Sequence, residues 1–344
     1  MTISAALVVS IILVLAVIFV NGWTDAPNAI ATAVSTRCLT PRNAVILAVI
    51  FNTLGAGFMT LVNAKVAETI TKMVRFESTS STSNQPLIVL AASLAAIVIW
   101  ATAAWYFGIP TSESHALIAG ITGGAIALGN SFSAINMQEW RKVLIGLGIS
   151  SVLGFFSGFS FVKLLGVIFS RVNRITATKF FTGGQIFGAA SMAFMHGAQD
   201  GQKFMGVFML ALFLNGAAAK GADGNFTIHW WLILLCSLMM GLGTSVGGYR
   251  IIKAVGMDMV KLEKYQGFAA DVAAASCLLL SSLTGIPVST THTKTTAIMG
   301  VGCARRPSSV NWRIVKDMVL AWVLTFPGCG LIGYLMAKLG LLIF

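Results

Sequence analysis

Charged side chains are scarce in this sequence. Only 10% of its 344 residues are Asp, Glu, Lys or Arg, against about a quarter in soluble domains, and the mean hydropathy is +0.85. Apolar runs at 3–20 and 86–107 are about as long as a bilayer-spanning helix, roughly 20 residues. Further runs occupy 43–62, 143–169, 181–195, 230–249, 266–284 and 317–344. An ordinary soluble domain is excluded, and an all-α polytopic membrane protein is predicted.

Cysteine and histidine patterns are equally sparse. The five cysteines are odd in number and lack Cys-x-x-Cys spacing, so neither a disulfide framework nor a zinc site is implied, and we expect no cofactor. The first apolar run has no basic residue ahead of it and no small-residue cleavage pattern. We therefore expect a membrane span there, not a cleaved signal peptide.

Basic residues outnumber acidic ones, and the formal net charge is +12. Most of the Lys and Arg residues lie in short loops between the apolar runs, for example at 171–179 and 305–316. Such loop charges orient a membrane protein and contact anionic headgroups. The expected surroundings are the lipid bilayer of the cell membrane, crossed several times, and nucleic acid is not expected as a partner.

Two motifs occur twice. "GIPTSESH" (108–115) returns as "GIPVSTTH" (285–292), and "FVNGWTDAPNAIAT" (19–32) aligns with "FMHGAQDGQKFMGV" (194–207). The two motifs keep the same order and nearly the same spacing. This predicts two homologous halves, 1–170 and 175–344, which together form one membrane domain. The halves are inverted relative to each other if each crosses the membrane an odd number of times.

All four motif copies interrupt apolar runs. Gly, Pro and clustered Ser/Thr residues favour broken helices or re-entrant hairpins, and such backbone persists at membrane depth only inside protein or beside a watery cavity. Paired broken segments in two halves indicate the binding site of a transporter.

The octapeptides combine a proline with hydroxyl side chains. Pro110 and Pro287 suit the first turn of a helix, and the Ser/Thr residues after them are natural caps. A helix that begins there directs its free N–H groups at an anion. Plain capping, with each hydroxyl bonded to its own helix, is the alternative. Six hydroxyls are candidates for a small tetrahedral oxyanion: Thr111, Ser112, Ser114, Ser289, Thr290 and Thr291.

The other motif places a carboxylate inside each apolar run. Asp25 and Asp200 are therefore candidate functional residues, because a charge at membrane depth is costly. With the nearby Asn28 and Gln199 they offer hard oxygen ligands for a small cation, Na⁺ included, or a carboxylate for a proton. A buried Asp that caps a half-helix is the alternative.

Three of the four histidines lie in the motifs, at His115, His196 and His292. Without His-x-x-x-His or Cys/His spacing they are interpreted as hydrogen-bonding or protonatable groups behind the ligands. Lys203 and Lys294 could neutralise an anion or extend to the membrane interface.

Taken together, "NGWTDAPNA", "HGAQDGQKFMG" and the two octapeptides resemble the motifs of the inorganic phosphate transporter (Pit) family over about 15–305. The resemblance implies phosphate uptake with Na⁺ or H⁺ through an inverted-repeat helical fold. It assigns the coupling cation to Asp25 and Asp200 and phosphate to Ser112, Ser289 and their neighbours.

Several positions depart from the family pattern. Thr24 and Gln199 stand before the motif aspartates, where Asn is usual. Asn52 occupies a place that carries Glu in many members, and Asp271 is taken as its counterpart in the second half. These departures leave the identity and number of coupling ions open.

Three other functions compete with phosphate transport as interpretations of the sequence. A sulfate permease of the same fold is the closest alternative. It is disfavoured because phosphate carries a proton for a nearby carboxylate to accept, whereas sulfate is only repelled. An anion channel would need a selectivity ring, and a membrane enzyme would need a catalytic base and metal ligands. The expected partners are phosphate and Na⁺ or H⁺, and the chain could form a homodimer.

Overall fold

The computed structural model describes residues 4–74, 76, 84–109, 111–221 and 226–343. Within these ranges the first half of the chain forms the following helices: α1 (Ala5–Thr24), α2 (Pro27–Ser35), α3 (Pro41–Val62), α4 (Lys65–Lys72), α5 (Gln85–Tyr106), α6 (Glu113–Gly129) and α7 (Met137–Ile168). The second half forms α8 (Arg174–Leu214), α9 (Trp230–Ser245), α10 (Tyr249–Lys253), α11 (Lys264–Thr284), α12 (Thr290–Arg305) and α13 (Trp312–Ile343).

The helices confirm the prediction of a polytopic all-α membrane protein. In the described ranges, 6 helical segments are long and apolar enough to cross a membrane, or 7 with the bent pair α9 and α10. Large apolar side chains project outward from the long helices, among them Phe156 on α7 and Leu324 on α13. A surface of this kind is suited to lipid tails.

Side-chain caps fix where several helices begin. Ser4 caps α1, Thr40 caps α3, and the octapeptide serines Ser112 and Ser289 cap α6 and α12. The prediction for the octapeptide proline is wrong in the second half: α12 begins at Thr290, so Pro287 lies ahead of the cap. Pro110 lies outside the described residues.

The aspartate motif breaks a helix in the first half only. α1 ends at Thr24, and Pro27 begins α2 because a residue without an N–H is tolerated in a first turn. The predicted break around Asp200 is wrong: α8 runs without interruption from Arg174 to Leu214. Both octapeptides, in contrast, do separate two helices.

The matched glycines of the aspartate motifs serve close packing. A Cβ on Gly22 would lie 2.3 Å from the carbonyl oxygen of Met240, and one on Gly197 would lie 2.1 Å from that of Asn52. No side chain fits at either distance, so the backbones of α1 and α9, and of α3 and α8, touch directly. Small residues at helix crossings are typical of membrane interfaces.

Helices from the two halves are interleaved. α6 packs along α13 and α12 packs along α7, so each short octapeptide helix lies on the long terminal helix of the other half. Similarly, α1 packs against α5 and α9, and α8 packs against α11 and α3. This arrangement brings the two octapeptides and the two aspartate motifs to one place in the interior.

Candidate functional site: paired helix caps beside two aspartates

The two octapeptides meet at their serines. The Oγ of Ser289 donates a 2.8 Å hydrogen bond to the Oγ of Ser112, and both side chains are fully buried. Each serine also accepts from a backbone N–H of its own helix, Ser112 from His115 and Ser289 from His292. The N-termini of α6 and α12 therefore face each other in the protein interior, where both dipoles present positive ends.

Asp25 lies at this junction, at the break between α1 and α2. Its Oδ1 accepts from the amide of Asn28 at 2.7 Å and from the hydroxyl of Thr291. Its Oδ2 lies 3.4 Å from the hydroxyl of Thr290. The predicted anion ligands Thr290 and Thr291 therefore donate to a carboxylate in this structure.

Asp200 lies opposite, on α8, and is paired with a lysine. The Nζ of Lys203 lies 2.7 Å from Oδ1 of Asp200, 2.6 Å from the Oγ of Ser114 and 2.5 Å from the carbonyl oxygen of Val288. The amide of Asn21 donates to Oδ2 of Asp200 at 3.1 Å. Lys203 is fully buried, so the alternative that it extends to the membrane interface is wrong.

A histidine lies close to both carboxylates. Asp25, His196 and Asp200 each offer a ligand atom within 4.8 Å of the others, and Nε2 of His196 lies 3.4 Å from Oδ2 of Asp200. Beside them, the side-chain oxygens of Asn21 and Asn28 are buried and have no hydrogen-bond partner in the part of the chain that the structure describes. Buried carboxylate, amide and hydroxyl oxygens of this kind can ligate a small hard cation.

Two further predicted residues lie at the margin of the cluster. Thr111 is buried just ahead of the Ser112 cap. The amide nitrogen of Gln199 donates to the carbonyl oxygen of Ile286 in the second octapeptide at 3.4 Å, and its Oε1 is buried without a hydrogen-bond partner among the described residues. Its assignment to the cation stays a prediction.

The octapeptide histidines pack as rings. His115 lies against Phe326 and His292 against Trp322, with ring centroids 4.5 and 3.8 Å apart. Both aromatic partners belong to α13. The Nδ1 of His292 also lies 3.4 Å from the Oγ of Ser151 on α7. These contacts anchor the two octapeptides to the long helices behind them.

Asn52 lies behind His196. Its Oδ1 is 3.0 Å from Nδ1 of His196, and its amide donates to Thr244 at 3.1 Å. Through this chain α3 and α9 support the imidazole that lies beside the carboxylates, as a second layer of residues around a ligand does.

Asp271 is not the counterpart of Asn52. Gly197 packs on the carbonyl of Asn52 and its matched glycine Gly22 packs on that of Met240, so Met240 on α9 occupies the equivalent place. Asp271 lies on α11. Residue type suggests the match between Asn52 and Asp271, but the packing of the helices sets the correspondence between the two halves.

Asp271 belongs to a separate buried cluster. It forms an ion pair with Lys294 and accepts from Thr32 at 2.7 Å and from Gln185 at 2.5 Å. Lys294 is fully buried as well, which excludes the interface alternative for this lysine too. The cluster joins α2, α8, α11 and α12 one helical turn along α12 from Thr291.

A family model decides the relationship. The model described as "Phosphate transporter family" matches residues 21–333, which include three motif copies in full and all but the first two residues of the copy at 19–32. The chain belongs to the phosphate transporter family. The predicted family is therefore confirmed.

Relatives with similar sequences agree with the family match. A protein of Bacillus subtilis named "Probable low-affinity inorganic phosphate transporter" is 40% identical over 317 residues, which cover 92% of this chain and 92% of the relative. One of Rhizobium meliloti with the same name is 38% identical, covering 92% and 91%. These relatives of the phosphate transporter family are named as transporters, in agreement with the prediction that the chain is not an enzyme.

A solved structure shares the fold. "The sodium-dependent phosphate transporter" superposes with a TM-score of 0.86 and covers 99% of this chain and 100% of that one. The two sequences are 23% identical, so the comparison shows a shared arrangement of helices. The family fold accordingly holds for this chain over its whole described length.

Asn21 has no role in the sequence-based predictions, although the sequence contains a signal for it. Asn21 stands in the first motif and aligns with His196 in the second, and both contact Asp200. On a continuous helix His196, Asp200 and Lys203 are spaced i, i+4 and i+7, which places them on one face. The assumed break at Asp200 concealed that relationship.

Proposed function

We propose that the protein is a secondary transporter that imports inorganic phosphate together with Na⁺ by alternating access. The observation that carries this proposal is the contact between Ser112 and Ser289, 2.8 Å apart at the facing N-termini of α6 and α12. Carboxylates lie directly beside this point. Anion and cation sites thus adjoin each other, which is what coupled binding requires.

Phosphate is assigned to the paired caps. Two helices of 17 and 16 residues direct free N–H groups and dipoles at one buried point, and this favours a compact oxyanion. Its oxygens would accept from Ser112 and Ser289 in place of the bond between the two serines. Thr111 and Ser114 lie within the same turn as Ser112. Thr290 and Thr291 then lie between the two ions and can contact both phosphate and Na⁺.

Na⁺ is assigned to Asp25. The carboxylate has no lysine partner, the oxygen of Asn28 is unpaired among the described residues, and two threonine hydroxyls lie next to it. A set of carboxylate, amide and hydroxyl oxygens suits a hard cation. Each bound charge lowers the free energy of binding the opposite one, so phosphate and Na⁺ bind together.

The proposal favours phosphate over sulfate on chemical grounds. Phosphate near neutral pH carries a proton that it can donate, and Glu113, the residue after the Ser112 cap, supplies a carboxylate acceptor within the motif. Sulfate has no such proton and would be repelled by the same carboxylate. The names of the relatives point in the same direction.

Alternating access is supported by the matching packing of the two halves. The most extensive contacts between helices of 1–170 and 175–344 recur with the halves exchanged: α6 on α13 matches α12 on α7, and α8 on α3 matches α1 on α9. A two-fold relationship of this kind lets one arrangement of the halves be replaced by the alternative in which the two halves exchange their conformations around a central site.

The test is phosphate uptake into proteoliposomes under three conditions. An imposed Na⁺ gradient should drive uptake of labelled phosphate, an imposed H⁺ gradient alone should not, and excess unlabelled sulfate should not compete. Uptake driven by H⁺ alone would overturn the choice of cation. Competition by sulfate would overturn the choice of anion, and linear uptake that needs no gradient would indicate a channel.

A further inference from the structure

We propose that the ammonium group of Lys203 permanently fills a second cation position, equivalent to the Na⁺ position at Asp25. The transporter then carries one movable cation where a symmetric pair of sites would carry two. This inference rests on the proposed function and adds the number of coupling ions to it.

The two positions have matching geometry. In the first, the amide of Asn28 lies 2.7 Å from Oδ1 of Asp25 and 3.3 Å from the hydroxyl of Thr291. In the second, the ammonium of Lys203 lies 2.7 Å from Oδ1 of Asp200 and 2.6 Å from the hydroxyl of Ser114.

Sequence register gives the same correspondence as these contacts. In the motif alignment Asp25 matches Asp200 and Asn28 matches Lys203. In the octapeptide alignment Thr291 matches Ser114. Each trio takes two residues from one half and one from the other, so the equivalence holds across the whole site.

The surroundings of Lys203 are those of a bound cation. Its three N–H donors have three oxygen partners: a carboxylate, a hydroxyl and the backbone carbonyl of Val288. The side chain is 0% exposed. A buried ammonium is stable only when it is paired and fully hydrogen-bonded, and these oxygens are also the ligands that an alkali cation would need.

The first position differs in charge. Asn28 is neutral, so neither Asn28 nor Thr291 balances the negative charge of Asp25. The Oδ1 of Asn28 has no hydrogen-bond partner in the described part of the chain. A ring nitrogen of His196 lies within 4.8 Å of a carboxylate oxygen of each aspartate. The position at Asp25 can therefore accept a cation, whereas the position at Asp200 already holds one.

A tethered cation changes the energetics of transport. Lys203 contacts Ser114 in the first turn of α6, so it supplies a positive charge beside the paired caps without leaving the protein. That charge strengthens phosphate binding. Because one Na⁺ fewer is transported with each phosphate, the Na⁺ gradient supplies less free energy for each transport cycle.

Three variants test the proposal in proteoliposomes. Lys203→Asn copies the first position onto the second and should add one Na⁺ per phosphate, measured as the ratio of labelled Na⁺ to labelled phosphate flux. The limiting phosphate accumulation at a tenfold Na⁺ gradient should rise about tenfold, because each further ion adds the free energy of one gradient. Asp200→Asn with Lys203→Asn removes both charges and should add no Na⁺. Asn28→Lys should remove the Na⁺ requirement.

An unchanged flux ratio in active Lys203→Asn protein would overturn the inference. Equilibrium binding of labelled Na⁺ to the unmodified protein with phosphate present provides a test that needs no variant: one ion per chain is expected, and two would overturn it. The proposed function fails separately, if the unmodified protein takes up no phosphate. If H⁺ drives the unmodified protein, a Na⁺ requirement gained by Lys203→Asn still supports the inference.

Discussion

The imidazole rings of His115 and His292 meet edge to face, with their centroids 4.3 Å apart. The two residues end the two octapeptides, so the repeat joins at its histidines as well as at its serines. Both rings are also stacked on α13, and the contact connects the octapeptide helices to the helix behind them. This is a structural role that residue type alone did not indicate.

Replacing His292 by Phe should preserve the packed ring, whereas replacing it by Ala should not. His292→Ala loses the contacts with His115 and Trp322 and should lower the free energy of unfolding by about 2 kcal/mol, since each aromatic pair contributes about 1 kcal/mol. Thermal unfolding of the purified protein in detergent measures the difference. Equal losses for Phe and Ala would mean that the polar nitrogens, and not the ring, carry the role.

Ser112→Ala and Ser289→Ala should each weaken phosphate binding. Loss of one hydrogen bond to the bound anion typically costs about 1 kcal/mol, so the apparent KM for phosphate should rise about fivefold. Initial uptake rates over a range of phosphate concentrations measure the effect. Ser4→Ala, which removes the cap of α1 outside the site, is the matched control and should leave the KM unchanged. An unaltered KM in both octapeptide variants would place the anion elsewhere.

Asp25→Asn should abolish the response to Na⁺ in folded protein. The amide can still accept a hydrogen bond from Thr291, but it no longer opposes the charge of a cation. Na⁺-driven uptake should fall about 10- to 100-fold, the usual range of coupling between two ligands. Stabilisation by Na⁺ in a thermal unfolding experiment should disappear in parallel. Retained stabilisation would show that Na⁺ binds without Asp25.

The pair Asp271–Lys294 should be sensitive to the loss of one charge and tolerant of the loss of both. Lys294→Met leaves a buried carboxylate unpaired and should destabilise by about 3–5 kcal/mol. The double variant Asp271→Asn with Lys294→Met should recover much of that loss. A double-mutant cycle on unfolding free energies gives the interaction, and additive effects would contradict the buried ion pair.

Gly197→Ala should disrupt the crossing of α3 and α8. The new Cβ would lie 2.1 Å from the carbonyl oxygen of Asn52, and overpacking of this kind costs about 1–3 kcal/mol. Gly183→Ala is the matched control on the same helix, because a Cβ there meets no atom within 4 Å among the described residues. Equal unfolding temperatures for the two variants would contradict the close approach.

Run length predicted most of the spans, because hydrophobicity acts locally, but the apolar run at 181–195 lies in α8, which is not among the candidate spans of the described residues. The repeated motifs predicted the family. The break after Thr24 could also be predicted, since Pro27 cannot donate to the preceding turn. Gln202 stands at the matching place after Asp200 and keeps its N–H, so α8 continues. The difference between Pro27 and Gln202 is therefore sufficient to predict that α8 is continuous through the second aspartate motif.

The remaining partners could not be predicted from local pattern. Thr32 and Asp271 are 239 residues apart, and Lys203 and Val288 are 85 apart. Which buried carboxylate pairs with which lysine depends on how helices cross, and the crossings depend on glycine contacts such as that of Gly22 with Met240. Residue type identified the charged groups, but only the packing determined the pairs.

α6 packs along α13 and is synthesised well before this packing partner. α6 leaves the ribosome roughly 200 residues before α13, which corresponds to about 10–40 s at ordinary rates of translation. Through that interval His115 lies in the membrane without Phe326, the α13 ring that packs on it in the folded protein. A nascent chain halted before Trp312 therefore leaves one face of α6 without its partner helix.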